Sequence, residues 1–281
     1  MRGLLAKTVG RSVSFFENAY FALSLTDLNL GNITEPINVR RDGTNPATRT
    51  FTFIEIINGA LSSWVGAGNN GFVVNWYCQL LVLNFNQTDP LKQPIIVDNG
   101  ILITKNGFPA MRARNKFCFL RASSSLLNPN PLYLFVTYTV GDGGTNGGLV
   151  DNTGIMGQGV SWFWLDRLSG GFNDRHGLAA NRATNGNLVI ADGNLLNINT
   201  QYLLTAILDN GLNVYENTTL AKSESMGDVR TSTGDIIIFG YQPELAGKDS
   251  MIQQVVGYNT DQSSEVNNIQ TKIINDFNIQ I

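Results

Sequence analysis

Charge is scarce in this chain. Asp, Glu, Lys and Arg make up 15% of its 281 residues, well under the roughly 25% of an average soluble domain. Asn, Ser, Thr and Gln must therefore solvate much of the surface. The formal net charge is −3, with none of the basic excess that neutralising phosphates requires, which argues against nucleic acid as a partner. So small a net charge also gives little repulsion between copies, and a homo-oligomer or burial in a larger assembly is expected. A single histidine rules out a metal centre built on imidazoles. Two cysteines, Cys78 and Cys118, are too few and too far apart for a disulfide framework or a zinc site with paired ligands, and are read as buried thiols. No apolar run approaches the roughly 18–20 residues of a membrane span, and the start of the chain lacks a secretory apolar region with a cleavage site, so no membrane association is expected. The G-K-[ST] ending of a phosphate-binding loop and the G-x-S-x-G nucleophile elbow are both missing.

Turn residues and alternating strands fill the space. The chain has 29 glycines, mostly in turn-like settings of the kind a many-stranded fold needs. Gly71 to Tyr77 alternates, with Phe72, Val74 and Trp76 expected on one face and Val73, Asn75 and Tyr77 on the other. Leu132, Leu134, Val136, Tyr138 and Val140 make a second such row. Hairpins are expected at Asn99-Gly100, Asn106-Gly107, Asp192-Gly193 and Asn210-Gly211, because Asn or Asp followed by Gly adopts the φ > 0 geometry of tight turns. Further strands are read at Asp235 to Tyr241 and Met251 to Tyr258, with a second turn at Glu216-Asn217. One helix is expected at the C-terminus, capped by Ser263 or Ser264, with Glu265 in its first turn and Val266, Ile269, Ile273 and Phe277 as its apolar stripe. Residues 1–14 differ: Arg2, Lys7 and Arg11 have no acidic partner, while Leu5, Val9 and Val13 fall at helical spacing. They are read as a short N-terminal arm, packed on its own domain or docked on a neighbouring subunit, in which case Arg2, Leu5, Lys7, Val9 and Arg11 are assembly residues. Residues 15–281 are expected to form one all-β sandwich, since such sandwiches commonly reach this size as a single domain.

Several stretches, in order, resemble a known family. They are NAYFALSL at 18–25, INVRRD at 37–42, WVGAG at 64–68, GFVVNWYCQ at 71–79, QPIIV at 93–97, NGFPAMR at 106–112, and YNTDQSS at 258–264 leading into the closing helix. Together they look like the concanavalin A-like domain related to the arabinofuranosidase B catalytic domain, which recurs in bacteriophage virion and tail proteins. Residues 15–118 and 235–281 are covered well and the middle poorly. The resemblance implies a concanavalin A-like jelly-roll β-sandwich, a virion location and other virion proteins as partners. It transmits no activity, because function resides in sites grafted on folds. One departure is direct: the family's W-Y-D-Q-S-G-N-G becomes Trp76-Tyr-Cys-Gln-Leu-Leu-Val-Leu83, and Cys78 cannot replace an ionised carboxylate as acceptor.

The chemistry-bearing candidates are few. A glycosidase needs two carboxyl groups at a set separation, and Asp166, Glu244 and Asp249 are the candidates, without a convincing nucleophile among residues 162–174. The chain is accordingly read as not an enzyme, with solvated loop carboxylates as the plainer account. His176 could serve a triad only through its own neighbours Asp174 and Arg175, an arrangement that contiguous residues rarely achieve. No cofactor is expected. Calcium is the one ion left open, at Asp142 and Asp151, which flank the glycine-rich loop 141–148. Trp162, Phe163 and Trp164 alternate faces: Trp162 and Trp164 are candidate carbohydrate-binding residues for a host glycan, against the alternatives of a subunit contact or core packing. Arg40 and Arg41 are read as an exposed sheet-edge pair with a salt-bridge role.

Overall fold

The computed structural model describes residues 15–80, 83–114, 118–122, 131–141, 153–158, 163–168, 175–181, 188–195, 197–227, 235–239 and 249–281; between 153 and 179, and at 181, 188 and 195, it describes the backbone path alone. The first half holds β1 (Phe21–Ser24), β2 (Ile37–Arg41), β3 (Ala47–Phe51), α1 (Phe53–Ile57), α2 (Ala60–Val65), β4 (Gly71–Tyr77), β5 (Asn84–Asn86) and β6 (Ile95–Asp98). Short strands follow: β7 (Ile101–Leu102), β8 (Thr104–Lys105), β9 (Phe108–Pro109), β10 (Met111–Arg112) and β11 (Leu120–Ala122). Next come β12 (Leu132–Thr139), β13 (Thr153–Gln158), β14 (Phe163–Leu168), β15 (Arg175–Asn181) and β16 (Leu188–Leu195). The chain ends through β17 (Gln201–Leu208), β18 (Gly211–Glu216), β19 (Thr219–Ser225), β20 (Ile236–Ile238), β21 (Met251–Tyr258) and α3 (Val266–Asp276).

Antiparallel pairing arranges these strands as two layers. One runs β19, β18, β17, β12, β21, with β1 and β10 lying end to end along the far side of β21. The other runs β3, β2, β4, β5, β11, β20, β13, β14, β15, β16. The layers meet at a corner where β6 pairs both β4 and β10. Leu132, Leu134 and Val136 from β12, with Leu204 and Val214, face Ile37, Val73, Trp76, Phe85 and Ile238 across the central core. A second core lies on the outer face of the first layer, where Tyr133, Phe135, Val256 and Tyr258 pack under Val266, Ile269, Ile273 and Phe277 of α3. The molecule is thus an all-β jelly-roll sandwich with a C-terminal helix. The N-terminal arm lies outside the described residues.

Local chemistry explains most boundaries. Asn99 and Gly100 have φ of 51° and 82°, the type I′ signature, and join β6 to β7. Gly100 is also required by contact, since a Cβ there would stand 2.8 Å from the Ala67 backbone. Asn106-Gly107 joins β8 to β9 in the same way. Between β17 and β18 only part of the expected Asn210-Gly211 turn holds: Asn210 is at φ 53°, whereas Gly211 has no positive φ and already opens β18, paired with Ser225. Asn217, at φ 55°, makes the next turn. Asp192-Gly193 does not turn: both lie inside β16, where two residues oppose the single His176 between the Arg175–Leu195 and Gly177–Asp192 pairs. The glycine there marks a bulge instead.

Two further expectations are corrected. Strict alternation along β4 fails at Val74, the extra residue between the Asn38–Asn75 and Val39–Val73 pairs. That bulge turns Val73 and Trp76 to the same face, into the central core, and sends Phe72 to a smaller cluster with Ile95 and Ile103. The C-terminal helix is also not capped by a serine; Glu265 occupies the N-cap without a side-chain cap bond. Two short helices, α1 and α2, went unread. The signal for α1 was Thr52-x-x-Glu55, since Thr52 Oγ1 accepts from the Glu55 N–H and Glu55 Oε2 accepts from the Thr52 N–H, a complete capping box.

Gly257 pairs with Phe21 on one side and Leu134 on the other, and a Cβ at that position would stand 2.3 Å from the Phe21 ring. Gly257→Ala is expected to cost about 2 kcal/mol through overpacking and to lower the melting midpoint by roughly 4–8 °C; an unchanged midpoint would show that the ring can yield. The Tyr258 hydroxyl is buried and donates to the Phe15 carbonyl at 2.8 Å, and burial raises its pKa above the ordinary value of 10.0. A raised folded-state pKa gives stability that is full below pH 10 and lost as pH rises above it. Melting midpoints measured against pH should therefore fall above about pH 10, and less steeply in Tyr258→Phe.

Candidate functional site

Few of the residues singled out by sequence lie among the described ones. Trp162, Glu244, Asp142, Asp151 and the arm residues Arg2, Leu5, Lys7, Val9 and Arg11 lie outside the described residues. Trp164 is placed in β14 opposite Gly157 and Ala179, Asp166 opposite Gly154 and Gly177, and His176 opposite Arg167, as backbone positions only. Asp249 sits at φ 60°, donates its N–H to the Ala113 carbonyl at 2.6 Å, and lies 3.9 Å from the Arg112 guanidinium. Its surroundings are those of a turn, not of a carboxylate pair. Among the described residues no three His, Cys, Asp or Glu side chains converge as a metal site.

The motif residues prove to be structural. Cys78 and Cys118 are both free thiols and fully buried, as expected. Cys78 Sγ accepts from the Ala22 N–H at 3.3 Å, so the position held by Asp in the family is closed to solvent. Gln79 accepts from the Leu28 N–H and donates to the Thr26 carbonyl, clasping the loop after β1. Arg40 and Arg41 are not an edge pair, because β2 is paired on both sides. Arg40 donates to Gln93 Oε1 and stacks on Phe72 at 4.5 Å, where burial and the neighbouring Arg114 charge lower its pKa. Arg41 donates to the Asn45 and Trp64 carbonyls and stacks on the Trp64 ring at 4.8 Å. Among the described residues neither forms an ion pair; carbonyls and ring faces replace the expected salt bridge.

A different place has the makings of a site. On the outer face of the first layer, alternation aims Tyr133 of β12, Ile207 of β17, and Asn213 and Tyr215 of β18 away from the central core, while Leu212 and Val214 point into it. The first turn of α3 stands beside them with Val266 and Asn267. An open groove of about 310 Å³ results, lined by these residues together with Asp209 and Ser263. At its floor the Tyr133 hydroxyl lies 2.9 Å from Asp261 Oδ1 and 3.3 Å from Asp209 Oδ2.

The electrostatics of that floor are settled by burial and hydrogen bonding. Burial first, then the hydrogen bond to Asp261 and the nearby Asp209 and Asp261 charges, push the Tyr133 phenol well above its ordinary range, so it remains a neutral donor. The Ser263 backbone N–H, the Ser263 side chain and the Tyr133 hydroxyl hold Asp261 below the usual carboxylate range. A phenol carries one hydrogen, so it serves one carboxylate at a time. Asp261 Oδ1 already accepts from the Ser263 N–H at 2.8 Å, whereas among the described residues Asp209 has its neighbour Asn210 as its one further side-chain donor. The Asn213, Asn267 and Tyr215 side chains, all lining the groove, are engaged in no hydrogen bond within the described residues. Sequence reasoning missed this place because Asp209 reads as a turn residue and Tyr133 as one more β residue. The one available signal was the outward alternation of Asn213 and Tyr215 in GLNVYE.

No protein-family model and no curated protein sequence matches the chain. Among solved structures it is similar to a GH54 α-L-arabinofuranosidase soaked with a cyclic sulfate inhibitor, with a TM-score of 0.59 and 12% identity over 91% of this chain and 62% of the other. A second arabinofuranosidase, complexed with arabinofuranosyl-α-1,2-xylobiose, gives a TM-score of 0.57 and 14% identity over the same shares. The chain spans 62% of the length of these two enzymes. At such identities the likeness is one of fold, and it is the fold implied by the ordered motifs: an all-β concanavalin A-like sandwich.

Proposed function

We propose that the protein is a non-catalytic structural component of a bacteriophage virion, for capsid decoration, as a head fibre or in association with the tail, that works through protein–protein contacts. The reading takes its phage context from the motifs, which resemble those of virion domains and which this chain uses to hold its own scaffold. The observation that carries the contact role is on α1. Phe53 and Ile56 are buried while Ile54 and Ile57, side by side at i and i+3, are 68% and 63% exposed. Leu91 and Ile101 are more exposed still. Such side chains on a surface with so little charge suit a contact with another copy of this chain.

Sedimentation velocity over a range of concentrations tests this. Association that grows with concentration is expected, and Ile54→Asp with Ile57→Asp should shift it toward monomer at an unchanged melting midpoint. A monomer at every concentration, together with absence of the protein from purified particles, would overturn the reading. The non-enzyme part has its own check: no reducing sugar should be released from polysaccharides, and release abolished by Glu244→Gln would reverse it.

A lectin-like module for host surface polysaccharide is the second reading, favoured by the unengaged amides around the Tyr133 groove. Trp162 and Trp164 remain its other candidates. The two roles are compatible in one virion protein.

A further inference from the structure

We propose that the groove between the β17–β18 hairpin and the first turn of α3 is a binding site for one neutral pyranose ring, with Asp209, Asn213 and Asn267 as its polar contacts. The inference deepens the lectin-like reading and rests on it, but assigns the sugar to residues other than Trp162 and Trp164.

Size comes first. A cavity of about 310 Å³ stands at the low end of the roughly 300–1,000 Å³ of small-molecule sites, enough for a single ring with the rest of a chain running out to solvent. Chemistry comes second. A sugar ring offers several hydroxyls, each both donor and acceptor, around a face of C–H groups. The groove offers the complement. Asp209 is a carboxylate with few donors of its own, Asn213 and Asn267 are carboxamides with both donor and acceptor capacity open, and Tyr215 is a half-buried ring. Ile207 and Val266 supply the apolar wall.

Charge comes third and decides the class. Asp261 is held ionised by the Ser263 N–H and the Tyr133 hydroxyl. Among the described residues no Lys or Arg lines the groove. A sugar acid would bring a carboxylate beside Asp209 and Asp261 without a compensating cation. Neutral hydroxyls instead donate to Asp209 what the Tyr133 phenol, with its single hydrogen, cannot give to both carboxylates.

The test is ligand-observed NMR on the full chain, with methyl glycosides of galactose, glucose, mannose and N-acetylglucosamine as probes and glucuronic acid as the anionic control. Binding of at least one neutral glycoside is expected, with a Kd on the order of a millimolar for so open a site, and none of glucuronic acid. Asn213→Ala and Asp209→Asn should each weaken it roughly tenfold, the loss of about one well-placed hydrogen bond. Asn267→Ala, on the exposed side of α3, gives the same readout without risk to folding, and Trp164→Ala should leave affinity unchanged. Binding that survives all three groove variants but disappears in Trp164→Ala would sink the groove and keep the lectin-like reading. Binding of calcium alone, or of glucuronic acid as well as the neutral glycosides, would also sink the groove. Failure of every glycoside to bind would end both.

Discussion

Everything in this molecule hangs on β12, which must bury both of its faces. Leu132, Leu134, Val136 and Tyr138 fill the space between the two layers, while Tyr133 and Phe135 fill the space beneath α3. It pairs with β17 from Leu132 to Thr139 on one side and with β21 from Tyr133 to Thr139, across one bulge, on the other. A strand buried on both faces cannot slip by one residue, because period-two alternation would then exchange the contents of two different cores. The helix, the outer core and the groove all take their positions from this register.

The pairing is held in place by irregularities as much as by regular ladder. Gln253 is the extra residue in β21, lying between the Thr137–Gln254 and Tyr138–Ile252 pairs. Its side chain donates to the Lys105, Phe108 and Pro109 carbonyls at 3.1–3.2 Å, tying the β8–β9 hairpin to the sheet. Asn106 continues the tie by donating to the Asn278 carbonyl and to Gln201. Val74 acts likewise in the other layer, where its bulge delivers Trp76 to the core. Bulges re-aim side chains that strict alternation would point elsewhere.

This explains what was legible in the sequence. The alternating row of β12, the strand at β21, the Asn99-Gly100 and Asn106-Gly107 turns and the apolar stripe of α3 follow from local pattern, and the structure keeps them. The facing of β4 did not, because one inserted residue is invisible to a period-two reading. Asp192-Gly193 has the residues of a turn, but pairing with β15 on one side held β16 extended and the glycine became a bulge. The short helix α1 was legible in its capping box, yet its five residues are too few to show a period. The groove is the least legible part, since Tyr133, Asp209 and Asp261 are brought together by three separate turns and ladders, and no spacing links them.

The division between scaffold and site has a physical basis. Residues that carry the family resemblance, Arg40, Arg41, Trp76, Gln79, Gln93 and Asn106, all direct side-chain donors to carbonyl oxygens or to one another, so their chemistry is used up in holding loops to strands. Asn213 and Tyr215 lie in the middle of the chain, where that resemblance is poor, on a face whose hydrogen-bonding groups are left open. A sandwich can vary such a face freely as long as the opposite face still supplies Leu212 and Val214 to the core. Tyr133 is where the two requirements meet: its ring belongs to the outer core and its hydroxyl to the groove, so the same strand that fixes the fold also fixes the spacing of Asp209 and Asp261.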